Sequence, residues 1–156
     1  MAQNTNRQNG YLAAVAGGAI GAVVLMNLGV YLGIAYVKNF MPNAELEGLI
    51  PPFIGYFVGW WIGEVAGCWL ALRWRNYRRA GKTALVLAIV TPLGIIFCFG
   101  FYSAVLNWVR GEVNELQFAH LYEIIRSLTA AGFAIPLAWL ARFWTKPHPP
   151  YPQQQQ

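Results

Sequence analysis

Charge is scarce in this chain. Only 11% of its 156 residues are Asp, Glu, Lys or Arg, against roughly 25% in ordinary soluble domains. So little charge leaves no room for a separate soluble domain. Cysteine is almost absent as well. Cys68 and Cys98 are the only two, both lie in apolar runs, and they form no CxxC. A buried thiol of that kind is a small hydrophobe, and two isolated ones build no disulfide framework. The chain also lacks a Gly-x-Ser-x-Gly elbow, a His-Glu-x-x-His pair and a Walker-type loop, so no enzyme is expected. No secretory leader is expected in the first apolar run, which exceeds a leader core of roughly 7–15 residues and has no clear cleavage site after it. It reads as a retained span. No strong internal repeat is visible.

Apolar residues fill the chain instead, at 57% of the total and a mean hydropathy of +0.40. They are gathered into four runs, at about 11–37, 51–74, 83–109 and 118–144. Each exceeds the roughly 20 helical residues that cross a hydrocarbon core. Unpaired backbone groups are not tolerated in lipid, so each run must be helical. The runs neither alternate nor shorten as barrel strands do. The expected fold is therefore an all-α, four-transmembrane-helix bundle over residues 11–145. A polar segment, 1–10, precedes it, and a disordered Pro/Gln-rich tail, 146–156, follows. Pro51-Pro52 opens the second span, as proline does in a first turn. Ala80-Gly81 is expected to break the chain between spans two and three. Pro92 and Pro136 lie inside spans three and four, where kinks are expected.

The net charge of +5 could indicate a nucleic-acid partner, but the basic residues flank apolar spans and none is expected. Arg73, Arg75, Arg78, Arg79 and Lys82 crowd the link between spans two and three, while Arg7, Arg142 and Lys146 lie at the termini. The other two links hold Lys38 and Arg110 beside Glu45, Glu47, Glu112 and Glu115. Positive segments stay cytoplasmic. Both termini are thus expected inside a bacterial inner membrane or its equivalent.

Glycine is the conspicuous residue of the first two spans. Gly55, Gly59, Gly63 and Gly67 recur every fourth position, as do Gly17, Gly21, Gly29 and Gly33, with Leu25 filling one missing rung. Such stripes let two backbones approach closely. A short link favours antiparallel neighbours, so the two stripes are expected to pack together within the chain; self-association through the ladder and a glycine-lined pore are the alternatives. Trp61 then projects opposite the ladder, toward lipid or another chain. Trp74, Tyr77, Trp108 and Trp144 fall at interfaces as aromatic anchors, and contacts of Trp60, Trp61 and Trp69 with a pigment or quinone are an alternative to simple burial.

Ionisable residues within the spans are few: Glu64, His120, Glu123 and Arg126, with Asn27 as the main neutral polar residue. Intramembrane ionisable groups are costly and mark functional sites by default. At about 1.5 Å per residue, Asn27 lies about ten residues from its outer end, Glu64 about thirteen and Arg126 about nine. A shared polar layer is expected, with Glu64 paired to Arg126. His120, Glu123 and Arg126 are spaced by threes and share one face of span four. If all charged, the two carboxylates and Arg126 would leave one excess negative charge. The set could lock the bundle, carry protons or ions, or hold a headgroup. A metal site of His120, Glu123 and Glu64 has too few nitrogen or sulfur donors to be expected, and one intramembrane histidine does not support haem ligation; no cofactor is expected.

Length and span count are similar to those of small multidrug exporters. The likeness ends there, since their carboxylate lies in the first span and no motif is shared; the absent CxxC argues against thiol-oxidising four-helix proteins. No functional residue carries over. The expected function is a non-enzymatic accessory or assembly subunit docked on another membrane complex. The alternative is a homo-oligomeric, proton-coupled transporter or channel centred on Glu64. The expected partners are the lipid bilayer and either a membrane protein or further copies of the chain.

Overall fold

The computed structural model describes residues 10–112 and 115–145, less the side chains of 102, 106 and 109–120. The polar head, the tail and the side chain of His120 lie outside the described residues. Four helices account for most of the rest: α1 (Tyr11–Phe40), α2 (Ile50–Trp74), α3 (Ala80–Glu112) and α4 (Glu115–Thr145). A short 3-10 turn, Leu46–Leu49, precedes α2. No strand occurs among the described residues. All four helices are long and apolar enough to cross a membrane. Pro51 and Pro52 occupy the first turn of α2, where a missing N–H leaves no bond unmade. α3 continues past Pro92 and α4 past Pro136.

The break expected at Ala80-Gly81 lies earlier in the chain. Gly81 is inside α3, and the chain reverses over 75–79. Here Asn76 (φ 54°) and Arg79 (φ 63°) take left-handed conformations. The Tyr77 N–H bonds the Leu72 carbonyl at 2.9 Å and the Asn76 N–H bonds that of Arg73 at 2.9 Å. That pair of bonds is the Schellman ending, with Asn76 in the position glycine usually takes. Tyr77 packs beside Leu72 in the same apolar cluster, the hydrophobic contact that accompanies the motif. Gly10, also left-handed at φ 59°, precedes α1 and sits against Leu72 and Tyr77.

The helices form a four-cornered ring. α1 packs most extensively on α2; α1–α4, α3–α4 and α2–α3 are the other sides, and α2 and α4 touch sparsely across the diagonal. The interior is built from small residues on two helices. α1 turns Ala14, Gly18, Ala22 and Met26 inward at every fourth position, and α4 turns Ala130, Ala134, Ala138 and Ala141 inward. Trp60 and Ile95 fill one half of the core with Cys98, and Leu72 and Leu87 fill the other with Cys68.

A second stripe of α1 faces α2. A Cβ built on Gly17 would fall on the Gly67 carbonyl, one on Gly21 on that of Gly63, and one on Gly29 on that of Gly55. One on Gly59 would meet the Leu25 carbonyl, and one on Gly33 the backbone of Pro51 and Pro52. All would be closer than real Cβ atoms approach. The outside of the bundle is apolar, with Leu12, Ile20, Leu85, Ile89 and Phe97 each more than half exposed.

Candidate polar layer in the bundle interior

Polar side chains enter the interior at three heights. The first is made by α1 and α4. Arg126 is 6% exposed. Its Nη2 donates to Asn27 Oδ1 at 2.5 Å, and its guanidinium stands 5.9 Å from the Tyr122 ring centroid. Asn27 Nδ2 donates to the Val23 carbonyl at 2.8 Å and to Ser127 Oγ at 3.4 Å. Asn27 thereby anchors the guanidinium to α1 and holds its own amide against α4. Arg126 Nε has no partner.

The second height is made by α2. Glu64 is fully buried, and the Trp60 indole Nε1 donates to its Oε2 at 3.0 Å. These residues are four apart, hence stacked on one helix face. Glu64 Oε1 and, on α3, the buried hydroxyl of Thr91 have no partner in the structure. Gly18 of α1 lies beside this level: a Cβ there would press on the Ala138 methyl at 3.2 Å and make ordinary contact with Glu64 Cγ at 3.6 Å.

Arg142 forms the third height. It is fully buried and donates through Nη1 to the Arg78 carbonyl at 3.0 Å and to Thr83 Oγ1 at 3.2 Å. Thr83 and Thr145 share a 2.7 Å hydroxyl bond, and Thr145 donates to the Ala141 carbonyl at 2.8 Å. The Arg142 guanidinium also lies 5.9 Å from the Tyr77 ring centroid. This network ties the end of α4 to the α2–α3 turn.

The expected pairing of Glu64 with Arg126 is corrected by these partners. Arg126 goes to Asn27 and Glu64 to Trp60, and no ion pair joins the two. The ring order explains this. α4 lies beside α1, whereas α2 and α4 are diagonal neighbours. Glu123 is exposed on α4, although it is only three residues from buried Arg126. The sequence marks Arg142 only as an orienting charge near the end of span four. Its signal was its spacing: it continues the inward face of Ala134, Ala138 and Ala141. Trp61, expected to point outward, is 42% exposed and donates its indole N–H to the Ala88 carbonyl of α3 at 3.0 Å. Cys68 and Cys98 are free, buried and in separate clusters. Among the described residues, no three His, Cys, Asp or Glu side chains gather where a metal would need them.

Comparison with known proteins found no matching family model, no matching curated protein and no matching solved structure. What these residues define is a helical bundle whose long helices are apolar outside and whose interior holds three acidic or basic side chains among the described residues, Glu64, Arg126 and Arg142.

Proposed function

We propose that the chain is a four-span integral membrane protein that serves as a non-enzymatic accessory or assembly subunit docked on another membrane complex. In this reading α1 and α2 form a glycine-zippered pair, close-packed because no side chain separates their backbones. The Arg-rich turn and both termini face the cytoplasm of a bacterial inner membrane or its equivalent.

The observation that carries the docking role is the trough between α2 and α3. Trp61, Trp69, Ala66, Ala84 and Ala88 line it, and almost no polar surface does. The Trp61 side chain is held in place by its bond to Ala88, so the trough is preformed. Small residues beside aromatic rings suit a helix of another membrane protein, because van der Waals fit drives helix association in lipid. The test is purification of the tagged protein from its own membranes in mild detergent. The expected result is a partner at fixed stoichiometry that is lost in Ala84→Leu, which adds bulk to the lining, while the variant keeps its melting temperature. A chain that purifies only with copies of itself, with or without the substitution, overturns the reading.

A second reading rests on Glu64, an interior carboxyl with one oxygen unbonded. It makes the protein a homo-oligomeric, proton-coupled transporter or channel. Proteoliposomes loaded with a pH-sensitive dye test it: proton flux present in the wild type and lost in a folded Glu64→Gln variant supports transport.

A further inference from the structure

The clearest imbalance in the interior is the charge of Arg126. The residue is 6% exposed, its one hydrogen-bond partner among the described residues is the neutral Asn27, and its guanidinium stands over the ring of Tyr122. Nε has no partner. Glu64 is occupied by Trp60, Glu123 is exposed, and no described carboxylate stands beside the guanidinium. A buried charge without a counter-charge is costly. Arg126 is not sealed in the core, however. It lines a hollow of about 270 Å³ together with Pro52, Phe53, Tyr56, Phe99 and Tyr122. Phe53 and Phe99 meet edge-to-face at 5.8 Å, and Phe53 and Phe57 at 4.6 Å, so the wall is a built aromatic surface. The hollow lies at the end of the bundle where α2 begins, since Leu49 and Pro52 border it.

We propose that this hollow binds an amphipathic anion, with its acidic head against Arg126 and its apolar body against the aromatic wall. A guanidinium suits a carboxylate or phosphate because its donors lie in one plane and match two oxygens. The hollow is just below the roughly 300–1,000 Å³ of small-molecule sites. It therefore takes a compact acid, or the head and first carbons of a lipid. The two sources share this chemistry. The lipid source rests on the membrane reading proposed above, and the soluble acid does not.

Purified protein in a neutral detergent is titrated with phosphatidylglycerol, with zwitterionic phosphatidylcholine and with phenylacetate, and melting is followed by intrinsic tryptophan fluorescence. The expected result is saturable stabilisation by phosphatidylglycerol above phosphatidylcholine, or by phenylacetate. The first assigns the site to a lipid head and the second to a soluble acid. Arg126→Gln should weaken the binding about tenfold or more, the size expected for one charge-assisted contact. Arg73→Gln, far from the hollow, should not change it. Should Arg126→Gln fail to fold, Val30→Phe serves instead: Val30 borders the hollow, so the ring fills it without removing the charge. Binding should then fall while the ligand-free melting temperature holds. No saturable shift in the wild type, or equal binding by Val30→Phe, overturns the proposal. Neither result bears on whether the chain spans a membrane.

Discussion

Gly29 and Gly55 face each other reciprocally: a Cβ added to either would land on the carbonyl of the other. The contact between α1 and α2 is backbone on backbone at this height, and a single methyl group has nowhere to go. Gly55→Ala should therefore destabilise the protein by about 1–3 kcal/mol, the usual range for overpacking. Gly55→Leu should do worse. The control is Gly100→Ala, since nothing lies within 4 Å of a Cβ there. That change should be neutral or gain up to about 1 kcal/mol from helix propensity alone. Melting in detergent of the three variants separates steric from intrinsic effects. A Gly55→Ala protein as stable as Gly100→Ala would remove glycine packing as the basis of the α1–α2 pair.

The four helices were legible in the sequence because apolar length along one chain defines a span. The α2–α3 turn was not legible as such, because its left-handed positions are Asn76 and Arg79 and not the nearby Gly81. The partner of Arg126 was misread for a different reason. Depth along a helix can be counted, but the corner a helix occupies cannot. Asn27 and Glu64 lay within about one turn of each other in depth, and only the ring order decided between them. The Trp60–Glu64 bond was within reach, being an i, i+4 pair on one helix.

Asn27 holds Arg126 through a 2.5 Å bond between α1 and α4. Removing Asn27 takes away the one acceptor that the buried guanidinium has among the described residues, so Asn27→Leu should lower stability by about 1–3 kcal/mol. Combining it with Arg126→Met should recover part of that loss, since the stranded charge is gone. A double-mutant cycle read by reversible unfolding should return a coupling on the order of 1 kcal/mol, near the upper end for hydrogen bonds between membrane helices. Strict additivity would show that the two side chains do not depend on each other.

Arg142 joins α4 to the α2–α3 turn by donating to both the Arg78 carbonyl and the Thr83 hydroxyl. Lysine keeps the charge but loses the planar fork, and the two are not interchangeable at such a site. Arg142→Lys should cost about 2 kcal/mol, within the range for hydrogen bonds to charged groups. Thr83→Val should cost less, because it leaves the Arg78 carbonyl in place. Limited proteolysis at the turn is the sensitive readout. Cleavage after Arg78 or Arg79 should accelerate in Arg142→Lys before the melting temperature falls far. Unchanged cleavage in both variants would show that the turn is ordered by its own Schellman bonds.

The proposed membrane orientation is open to a labelling test, because Cys68 and Cys98 are buried. Asn76 lies in the Arg-rich turn, and Asn43 in the link between α1 and α2. Basic links stay on the cytoplasmic side. An impermeant maleimide applied to intact cells should label Asn43→Cys and leave Asn76→Cys unlabelled until the cells are lysed. The reverse pattern would invert the topology and move the Arg126 hollow to the cytoplasmic end.

Glu64 and Arg126 provide the sharpest test of the interior. Were they an ion pair, removing one charge would strand the other, and the second substitution would restore stability, since breaking a buried pair costs on the order of 3–5 kcal/mol. The structure gives them separate partners. Glu64→Gln keeps an oxygen to accept the Trp60 indole proton, so its melting temperature should stay close to that of the wild type. Arg126→Gln should destabilise alone, and by the same amount in the Glu64→Gln background. Independent sites add to within about 0.3–0.5 kcal/mol, so a rescue larger than that would place the two side chains together after all. Trp60→Phe completes the assignment. It removes the indole donor from Glu64 while keeping an aromatic ring, and it should cost about 1–3 kcal/mol as the penalty for an unmade buried bond. That penalty should largely vanish when Glu64 is also changed to Leu, because the carboxyl that needed the indole is then gone.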